Sequence, residues 1–212
     1  MAEPRPHTLL RIAAPQMLSA EAAAPLWVGA ALERAPWVVV RRAPHARGLP
    51  VGVRGWSRAQ RWAAWLPAAE VREQLTPPQL AARCSWRAHP RAAECAAFAA
   101  LEAVADLMDR AQLPWGPIGS VGFELASGLA VVHAASDLDL IVEAPRPLPR
   151  LKAQGLLAAL ARLALRSDVL LETPQGAVAL AEFAASGGPF LLRSAGGPRF
   201  VEDPWAAAAD AA

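Results

Sequence analysis

Apolar and polar residues alternate most regularly in residues 136–142, where two aspartates stand on either side of one leucine. Asp137 and Asp139 are separated by Leu138, and Leu140 follows them. Along a strand, side chains at i and i+2 face the same side. The pattern therefore predicts a strand that turns both carboxylates to one face and buries Leu138 and Leu140 in a core. Two carboxylates about 6–7 Å apart at Cα can converge on one or two divalent ions.

A glycine-serine turn precedes this strand. Residues 115–118 form a short apolar strand that leads into Gly119 and Ser120, and residues 121–127 are predicted to form a short helix that ends at Gly128. Gly119 permits close backbone approach, and the free N–H groups of a helix that opens at Ser120 attract phosphate. Phosphate-binding donors that face a metal-binding acid pair suit phosphoryl or nucleotidyl transfer.

The part of the chain before residue 76 is interrupted by prolines. Two β-branched segments, residues 37–42 and 51–54, are predicted strands, and pairing them as a hairpin would bring Arg41 or Arg42 near Arg54. Seven arginines and no acid occur between residues 34 and 61, namely Arg34, Arg41, Arg42, Arg47, Arg54, Arg58 and Arg61. Such a surface fits a polyphosphate or an acidic protein, although a charge run is as often only a solvated face.

The remaining elements alternate between helices and strands. In residues 58–65, arginines and tryptophans recur at i, i+3 spacing, which predicts a helix. Thr76 is predicted to cap a helix that opens with two prolines, and a boundary here gives domains of residues 1–75 and 76–212. The other predicted helices are residues 26–32, 91–111 and 151–165, and the other predicted strands are residues 169–173, 177–183 and 190–193.

This order of elements predicts the α/β class, an α+β arrangement in which helices pack on a mixed sheet. The smaller N-terminal domain is also expected to be α/β, and the C-terminal domain is expected to be catalytic. The third acid of the site is predicted to be Glu172, on a later strand, while Asp168 and Glu182 remain alternatives. A third carboxylate would position a metal ion or take a proton from the acceptor.

Composition limits the classes of protein to which the chain can belong. The chain has 212 residues, 54% of them hydrophobic and 19% charged, which indicates a folded globular protein. No apolar run is long enough to cross a bilayer and no signal core is evident, so a cytoplasmic location without a membrane partner is expected. A net charge of +2 does not favour nucleic acid.

Other candidate motifs are weak. Neither a P-loop nor a dinucleotide-binding fingerprint is present. Cys84, His89 and Cys95 have loosely metal-like spacing but lack a fourth ligand, so buried thiols and a surface histidine are expected. His7 is interpreted as a local cap or a surface residue.

Gly119-Ser120 followed by Asp137-x-Asp139 resembles the nucleotidyltransferase superfamily pattern. From about His7 to Trp205, the chain also resembles the phosphoribosyl-dephospho-CoA transferases of malonate decarboxylase. The segments that carry this likeness are residues 36–43, 50–55, 115–124, 136–140, 172–180 and 203–205.

The resemblance implies a nucleotidyltransferase-like catalytic domain that moves the prosthetic group of 2′-(5″-triphosphoribosyl)-3′-dephospho-CoA to a serine of the apo acyl carrier subunit. Diphosphate would leave. Gly119 and Ser120 would bind the triphosphate, and Asp137 and Asp139 would bind Mg²⁺. The choice of Glu172 as the third acid is our own assignment and is not implied by the resemblance.

We expect the arginine-rich N-terminal domain to bind the donor, the carrier or both, through Arg41, Arg42 and Arg54, because guanidinium groups pair well with phosphate. Two alternatives stay open. One is a nucleotidyltransferase that uses ATP, and the other is a non-catalytic nucleotide-binding module.

Overall fold

The computed structural model describes residues 3–45, 47–57, 59–163, 165–185 and 187–207. The first five strands form one sheet, in which every neighbouring pair is antiparallel. The helix α1 (Trp27–Arg34) buries Val28 and Leu32 against it. The strands are β1 (Leu9–Ile12), β2 (Trp37–Val40), β3 (Leu49–Arg54), β4 (Arg61–Leu66) and β5 (Val71–Leu75), in the spatial order β4-β3-β2-β1-β5.

The other strands form a second, mixed sheet. They are β6 (Trp115–Pro117), β7 (Leu138–Glu143), β8 (Ser167–Thr173), β9 (Gly176–Ala179), β10 (Phe190–Ser194) and β11 (Gly197–Val201), in the spatial order β11-β10-β9-β8-β7-β6. Only β7 and β8 are parallel among the described strands. Parallel strands need a crossover connection, and a helix provides it here.

Within the described residues, five α-helices accompany the second sheet. They are α2 (Pro77–Arg83), α3 (Ala96–Ala111), α4 (Gly119–Ser127), α5 (Arg150–Leu160) and α6 (Leu180–Ala185). The helix α5 is the crossover between β7 and β8. The α/β class and the mixed sheet predicted from the sequence are confirmed. In the described part of the chain, no helix has the length and apolar character needed to cross a membrane.

An apolar cluster joins the two sheets. Leu9, Trp37 and Leu75 from the first sheet pack together with Leu80 of α2 and Phe123 of α4. The predicted boundary at residue 75 falls between β5 and α2, and the division into two domains stays a prediction. One apolar core lies between the first sheet and α1. A separate core lies between the second sheet and the helices α3 and α5.

Several predicted elements are confirmed. The helices at residues 26–32, 91–111 and 151–165 correspond to α1, α3 and α5, with α3 and α5 shorter than predicted. Thr76 caps α2: its Oγ1 accepts a hydrogen bond from the Gln79 amide at 3.3 Å, and Gln79 Oε1 accepts one from the Thr76 amide at 2.9 Å. This reciprocal pair is a capping box.

The predicted helix at residues 58–65 is wrong, because this segment contributes the strand β4. Trp62, Ala64 and Leu66 are buried while the residues between them are more exposed, which is a period of two. The i, i+3 spacing that indicated a helix places Trp62 and Trp65 on opposite faces of a strand. Arg58 lies outside the described residues.

The strand predicted at residues 177–183 is also wrong in its second half. The strand β9 ends at Ala179 and α6 begins at Leu180. Leu180, Phe183 and Ala184 are buried at i, i+3 and i+4, the spacing of one helix face. The strands β1, β5 and β11 were not predicted.

The hairpin of β2 and β3 forms, but the expectation that it brings Arg41 or Arg42 near Arg54 is wrong. The register pairs Val40 with Val51, so Arg41 and Arg54 lie beyond this pair in opposite directions. Four residues of strand separate them, about 13 Å along the sheet. The loop between the strands is eight residues long, and the sequence did not reveal this register.

Candidate active site

The acid pair lies at the start of β7, beside a cleft between the two sheets. Leu138 and Leu140 are fully buried, whereas Asp137 and Asp139 are half-buried. Neither carboxylate is buried in the apolar core, and β7 has the two faces that the alternating sequence predicts.

The glycine turn contacts one of these acids. Gly119 has a φ of +62° and begins α4, and a Cβ atom added to it would overlap Asp139 Oδ2. The Ile118 amide donates a hydrogen bond to the Asp139 carbonyl at 2.9 Å. Only glycine adopts this left-handed conformation without cost and also leaves room for the carboxylate. The structure therefore brings the turn and the acid strand together, as the sequence pattern predicts.

Ser120 links the turn to the first sheet. Arg54, at the end of β3, donates from Nη2 to Ser120 Oγ at 2.9 Å. The guanidinium group of Arg54 also lies over the ring of Phe123 on α4, 5.9 Å from its centroid. A cation is thus placed beside the first turn of a helix, where free N–H groups and the helix dipole already favour an anion.

The register of β7 and β8 decides which acid lies beside the pair. It aligns Asp139 with Asp168, and Glu143 with Glu172. With strands about 5 Å apart and a rise of about 3.3 Å per residue, Asp168 is about 5 Å from Asp139 at Cα and Glu172 roughly 14 Å. The structure therefore places Asp168, and not Glu172, next to Asp139. Asp168 forms an ion pair with Arg166, with 3.3 Å between Asp168 Oδ2 and Arg166 Nη2.

Glu172 has a different partner. Arg42 binds it through two hydrogen bonds, from Nη1 to Oε1 at 2.9 Å and from Nη2 to Oε2. The two side chains are only 15% and 14% exposed. This bidentate pair ties the segment after β2 to β8 and orients Arg42. Glu182, the other alternative, lies on α6, where its Oε1 accepts a hydrogen bond from the Leu191 amide at 2.7 Å.

The cleft has a volume of about 860 Å³, which suits a ligand of cofactor size. Among the described residues that line it, Asp139 supplies the one carboxylate, six residues are basic, and most of the others are apolar. These basic residues are His7, Arg41, Arg42, Arg54, Arg61 and Arg193. The guanidinium group of Arg41 is oriented by the Val51 carbonyl, which accepts a hydrogen bond from Nε at 2.9 Å. The cleft is therefore suited to a polyanionic ligand.

The interpretation of His7 as a cap or surface residue is wrong. His7 lines the cleft, and its amide donates to the Val40 carbonyl at 2.9 Å. Burial, followed by the positive charges of Arg42 and Arg193, lowers the pKa of His7 to about 4. No local sequence signal marked His7 or Arg193, because segments far apart in the chain bring them to the cleft.

The acid pair fits magnesium. Asp137 and Asp139 supply hard oxygen ligands, and the missing side chain of Gly119 leaves the Asp139 carboxylate accessible. In the ranges that the structure describes, no three His, Cys, Asp or Glu side chains form a ready-made metal cluster. Magnesium is usually bound by one or two carboxylates together with substrate phosphates, which is the donor set that this cleft could offer.

The two cysteines behave as buried thiols, but the surface position expected for His89 is wrong. Cys95 is buried and Cys84 half-buried. His89 stacks on Phe98, with ring centroids 4.1 Å apart, and its side chain is only 13% exposed. These three residues are therefore part of the packing around α3.

The fold and the cleft define an α/β protein in which a glycine turn contacts one acid of a pair, an arrangement that suits the transfer of phosphorylated groups. Two family models match the chain. The phosphoribosyl-dephospho-CoA transferase MdcG N-terminal domain matches residues 5–77, and the C-terminal domain of that family matches residues 79–204. The chain belongs to the phosphoribosyl-dephospho-CoA transferase family, and the resemblance seen in its motifs is confirmed.

Curated relatives that carry the name phosphoribosyl-dephospho-CoA transferase match over nearly their whole length. The chain is 44% identical over 208 residues to that of Pseudomonas putida strain W619, covering 97% of each chain. It is 42% identical over 205 residues to that of Pseudomonas aeruginosa, covering 96% of this chain and 95% of the relative. For Klebsiella pneumoniae strain 342 the identity is 39% over 203 residues, with 95% and 96% covered. No solved structure matches the chain significantly.

Proposed function

We propose that the chain transfers the phosphoribosyl-dephospho-CoA group of 2′-(5″-triphosphoribosyl)-3′-dephospho-CoA to a serine of the apo acyl carrier subunit of malonate decarboxylase, with release of diphosphate. The family name supports the identity of the transferred group. The contact between the Gly119 turn and Asp139, at one end of a basic cleft, is the observation that carries the proposal.

The donor triphosphate binds at the first turn of α4. Backbone N–H groups of this turn and the Arg54 guanidinium, which Ser120 Oγ orients, bind its phosphate oxygens. The rest of the donor extends into the basic cleft, where Arg41 and Arg42 contribute to binding. These residues hold the donor so that its reacting phosphate lies beside Asp137 and Asp139.

The serine hydroxyl of the carrier attacks the phosphorus that bears the ribose oxygen, and the bond from this phosphorus to the leaving diphosphate breaks. Asp137 and Asp139 would hold Mg²⁺, which would supply charge neutralisation at the phosphates. Arg54 and the α4 amides stabilise the negative charge that grows on the diphosphate. The nucleophile comes from the carrier, which agrees with the lack of any activated serine or cysteine motif in the sequence.

We assign the third acid to Asp168 and a positioning role to Glu172. Asp168 lies in register with Asp139 on the neighbouring strand, where it could take the proton of the attacking hydroxyl once its carboxylate turns from Arg166. Glu172 fixes Arg42 through both carboxylate oxygens and acts on donor binding through that arginine.

The proposal is tested by incubating apo carrier with donor, magnesium and the full chain, followed by mass spectrometry of the carrier. We expect a mass increase equal to the phosphoribosyl-dephospho-CoA group, stoichiometric release of diphosphate and no reaction after chelation of magnesium. A parallel incubation with labelled ATP serves as the control. Labelling from ATP without modification from the donor would identify an ATP-dependent nucleotidyltransferase, and no transfer from either would contradict an enzymatic role.

Substitution of Asp168 and Glu172 separates the two roles. Asp168→Asn should lower kcat by about 100-fold with little change in the donor KM, since a positioned proton acceptor is lost. Glu172→Gln should raise the donor KM and leave kcat within a few-fold, because it only loosens Arg42. Steady-state kinetics with varied donor measures both. The opposite pattern, with kcat lost in Glu172→Gln alone, would return the third-acid role to Glu172.

A further inference from the structure

A second basic group lies away from the glycine turn. In the second sheet, the register aligns Glu172 with Ala177 and Ala177 with Arg193, so these residues form one row across β8, β9 and β10. Arg42 covers Glu172, and the small Ala177 leaves open space between Arg42 and Arg193. Within the described residues, no carboxylate forms an ion pair with Arg193, whose side chain lines the cleft.

His7 reaches the same group from the first sheet. Its φ is +68°, a left-handed conformation that is unfavourable for a non-glycine residue, and the Val40 carbonyl accepts a hydrogen bond from its amide. The imidazole lines the same cleft as Arg42 and Arg193, and the charges of both arginines act on it. The acids of the same row, Glu143 and Glu172, are engaged by Arg5 and Arg42. The group therefore has a net positive charge, contributed by Arg193, beside a polar ring that can donate or accept a hydrogen bond.

An apolar floor separates this group from the glycine turn. Leu9, Val39, Gly52 and Ala63 are successive partners across β1 to β4, and all four line the cleft. On the facing sheet, Glu172 is roughly 14 Å from Asp139 at Cα, from the strand spacing and rise. The cleft thus has arginines at both ends, Arg54 beside the acid pair at one and Arg42 with Arg193 at the other, and an apolar row between them.

We propose that His7, Arg42 and Arg193 form a second anion-binding subsite, which binds the internal diphosphate of the dephospho-CoA part of the donor while the triphosphate lies at Gly119. This assignment rests on the proposed function. The donor carries these two phosphorylated groups on different ribose rings, so one turn cannot bind both, and the adenosine between them matches the apolar floor. Arg42 keeps N–H donors for phosphate, because Glu172 engages only two of its five.

The pKa of His7 offers a readout that does not depend on catalysis. Burial and the charges of Arg42 and Arg193 lower it to about 4 in the free chain, so the imidazole is neutral near pH 6. A diphosphate bound among these groups would offset both guanidinium charges and raise the His7 pKa towards the ordinary value of about 6.5. Each phosphate of an internal diphosphate has lost its single acidic proton at this pH. A proton taken up on binding would therefore be bound by the protein and not by the diphosphate.

The test is isothermal titration calorimetry of 3′-dephospho-CoA, which lacks the triphosphate, with the full chain and no carrier. At about pH 6, runs in two buffers that differ in ionisation enthalpy should reveal net proton uptake that disappears in His7→Gln. Arg193→Gln should weaken binding by about 10-fold, since one charged hydrogen-bond partner is lost. Arg199→Gln is the matched control, because Arg199 is aligned with buried Leu192 and so lies on the other face of the hairpin.

Equal affinities of Arg193→Gln and Arg199→Gln would overturn the subsite, and so would the absence of His7-dependent proton uptake by the wild-type chain. Thermal melts would check that His7→Gln remains folded, and the arginine pair decides the question if it does not. The subsite and the proposed function can fail separately. Binding with the expected signature but without carrier modification by the complete donor would keep the subsite and reject the transfer reaction.

Discussion

Alanine at Gly119 is expected to lower kcat/KM for carrier modification by about 1000-fold while the chain remains folded. The added Cβ would overlap Asp139 Oδ2, so the carboxylate, the turn or both must move. A displacement of about 1 Å in a positioned group can cost 100-fold in rate, and loss of a donor aimed at the developing charge costs a similar factor. The substitution disturbs both the phosphate-binding amides and one acid of the pair.

Gly128 provides a matched control at the other end of α4. It has a φ of +71°, close to the +62° of Gly119, but a Cβ there would meet nothing within 4 Å. Both alanine variants should lose roughly 1–2 kcal/mol of stability from the left-handed backbone. Only Gly119→Ala should lose activity, measured by the rate of carrier modification at saturating and limiting donor. Equal activity of the two variants would mean that the contact with Asp139 has no role in catalysis.

The parts of the site that could be predicted from sequence are those encoded by neighbouring residues. The alternation around Asp137 and Asp139 fixes which side of β7 faces the cleft, because the period of a strand is two. Gly119 is close in the chain to the helix that it opens, so its role could be inferred from local chemistry. The class of fold followed from the order of such segments.

The third acid could not be predicted because it depends on register. Asp168 and Glu172 lie on the same face of β8, since they are four residues apart, and the sequence alone gives no reason to prefer either. Only the alignment of β8 with β7 puts Asp168 beside Asp139. The same limit applies to Arg41 and Arg54, whose separation depends on the pairing of β2 with β3.

The segment of β4 shows a different limit. Its alanines and tryptophans satisfy helical spacing and strand alternation almost equally well, so the pairing with β3 decides the outcome. The placement of His7 and Arg193 in one cleft is harder still to predict from the sequence. They are 186 positions apart in the chain, and the cleft brings them together through two different sheets.

Loss of the Glu124 carboxylate is expected to lower the free energy of unfolding by about 3 kcal/mol, because it removes the buried carboxylate partner of a partly buried arginine. Glu124 is 1% exposed, and Arg91 donates from Nη1 to its Oε1 at 2.7 Å. Its Oε2 accepts hydrogen bonds from the amides of Val131 and Val132 at 2.8 and 2.7 Å. Glu124→Ala therefore removes an ion pair and leaves two amides without their acceptor. Urea unfolding followed by circular dichroism measures the change.

Glu94 is the matched control, since its Oε2 pairs with Nε of the same Arg91 at 3.4 Å but its side chain is 69% exposed. Glu94→Ala should cost less than about 1 kcal/mol, as exposed ion pairs contribute little.

Glu124 is also expected to affect activity through its position on α4. Glu124 lies on α4, five residues after Gly119, and it holds the connector that leads to Asp137. Activity should therefore fall in Glu124→Ala even under conditions where the variant is fully folded. Retained activity in a folded Glu124→Ala variant would mean that the acid strand is positioned by β-sheet pairing alone.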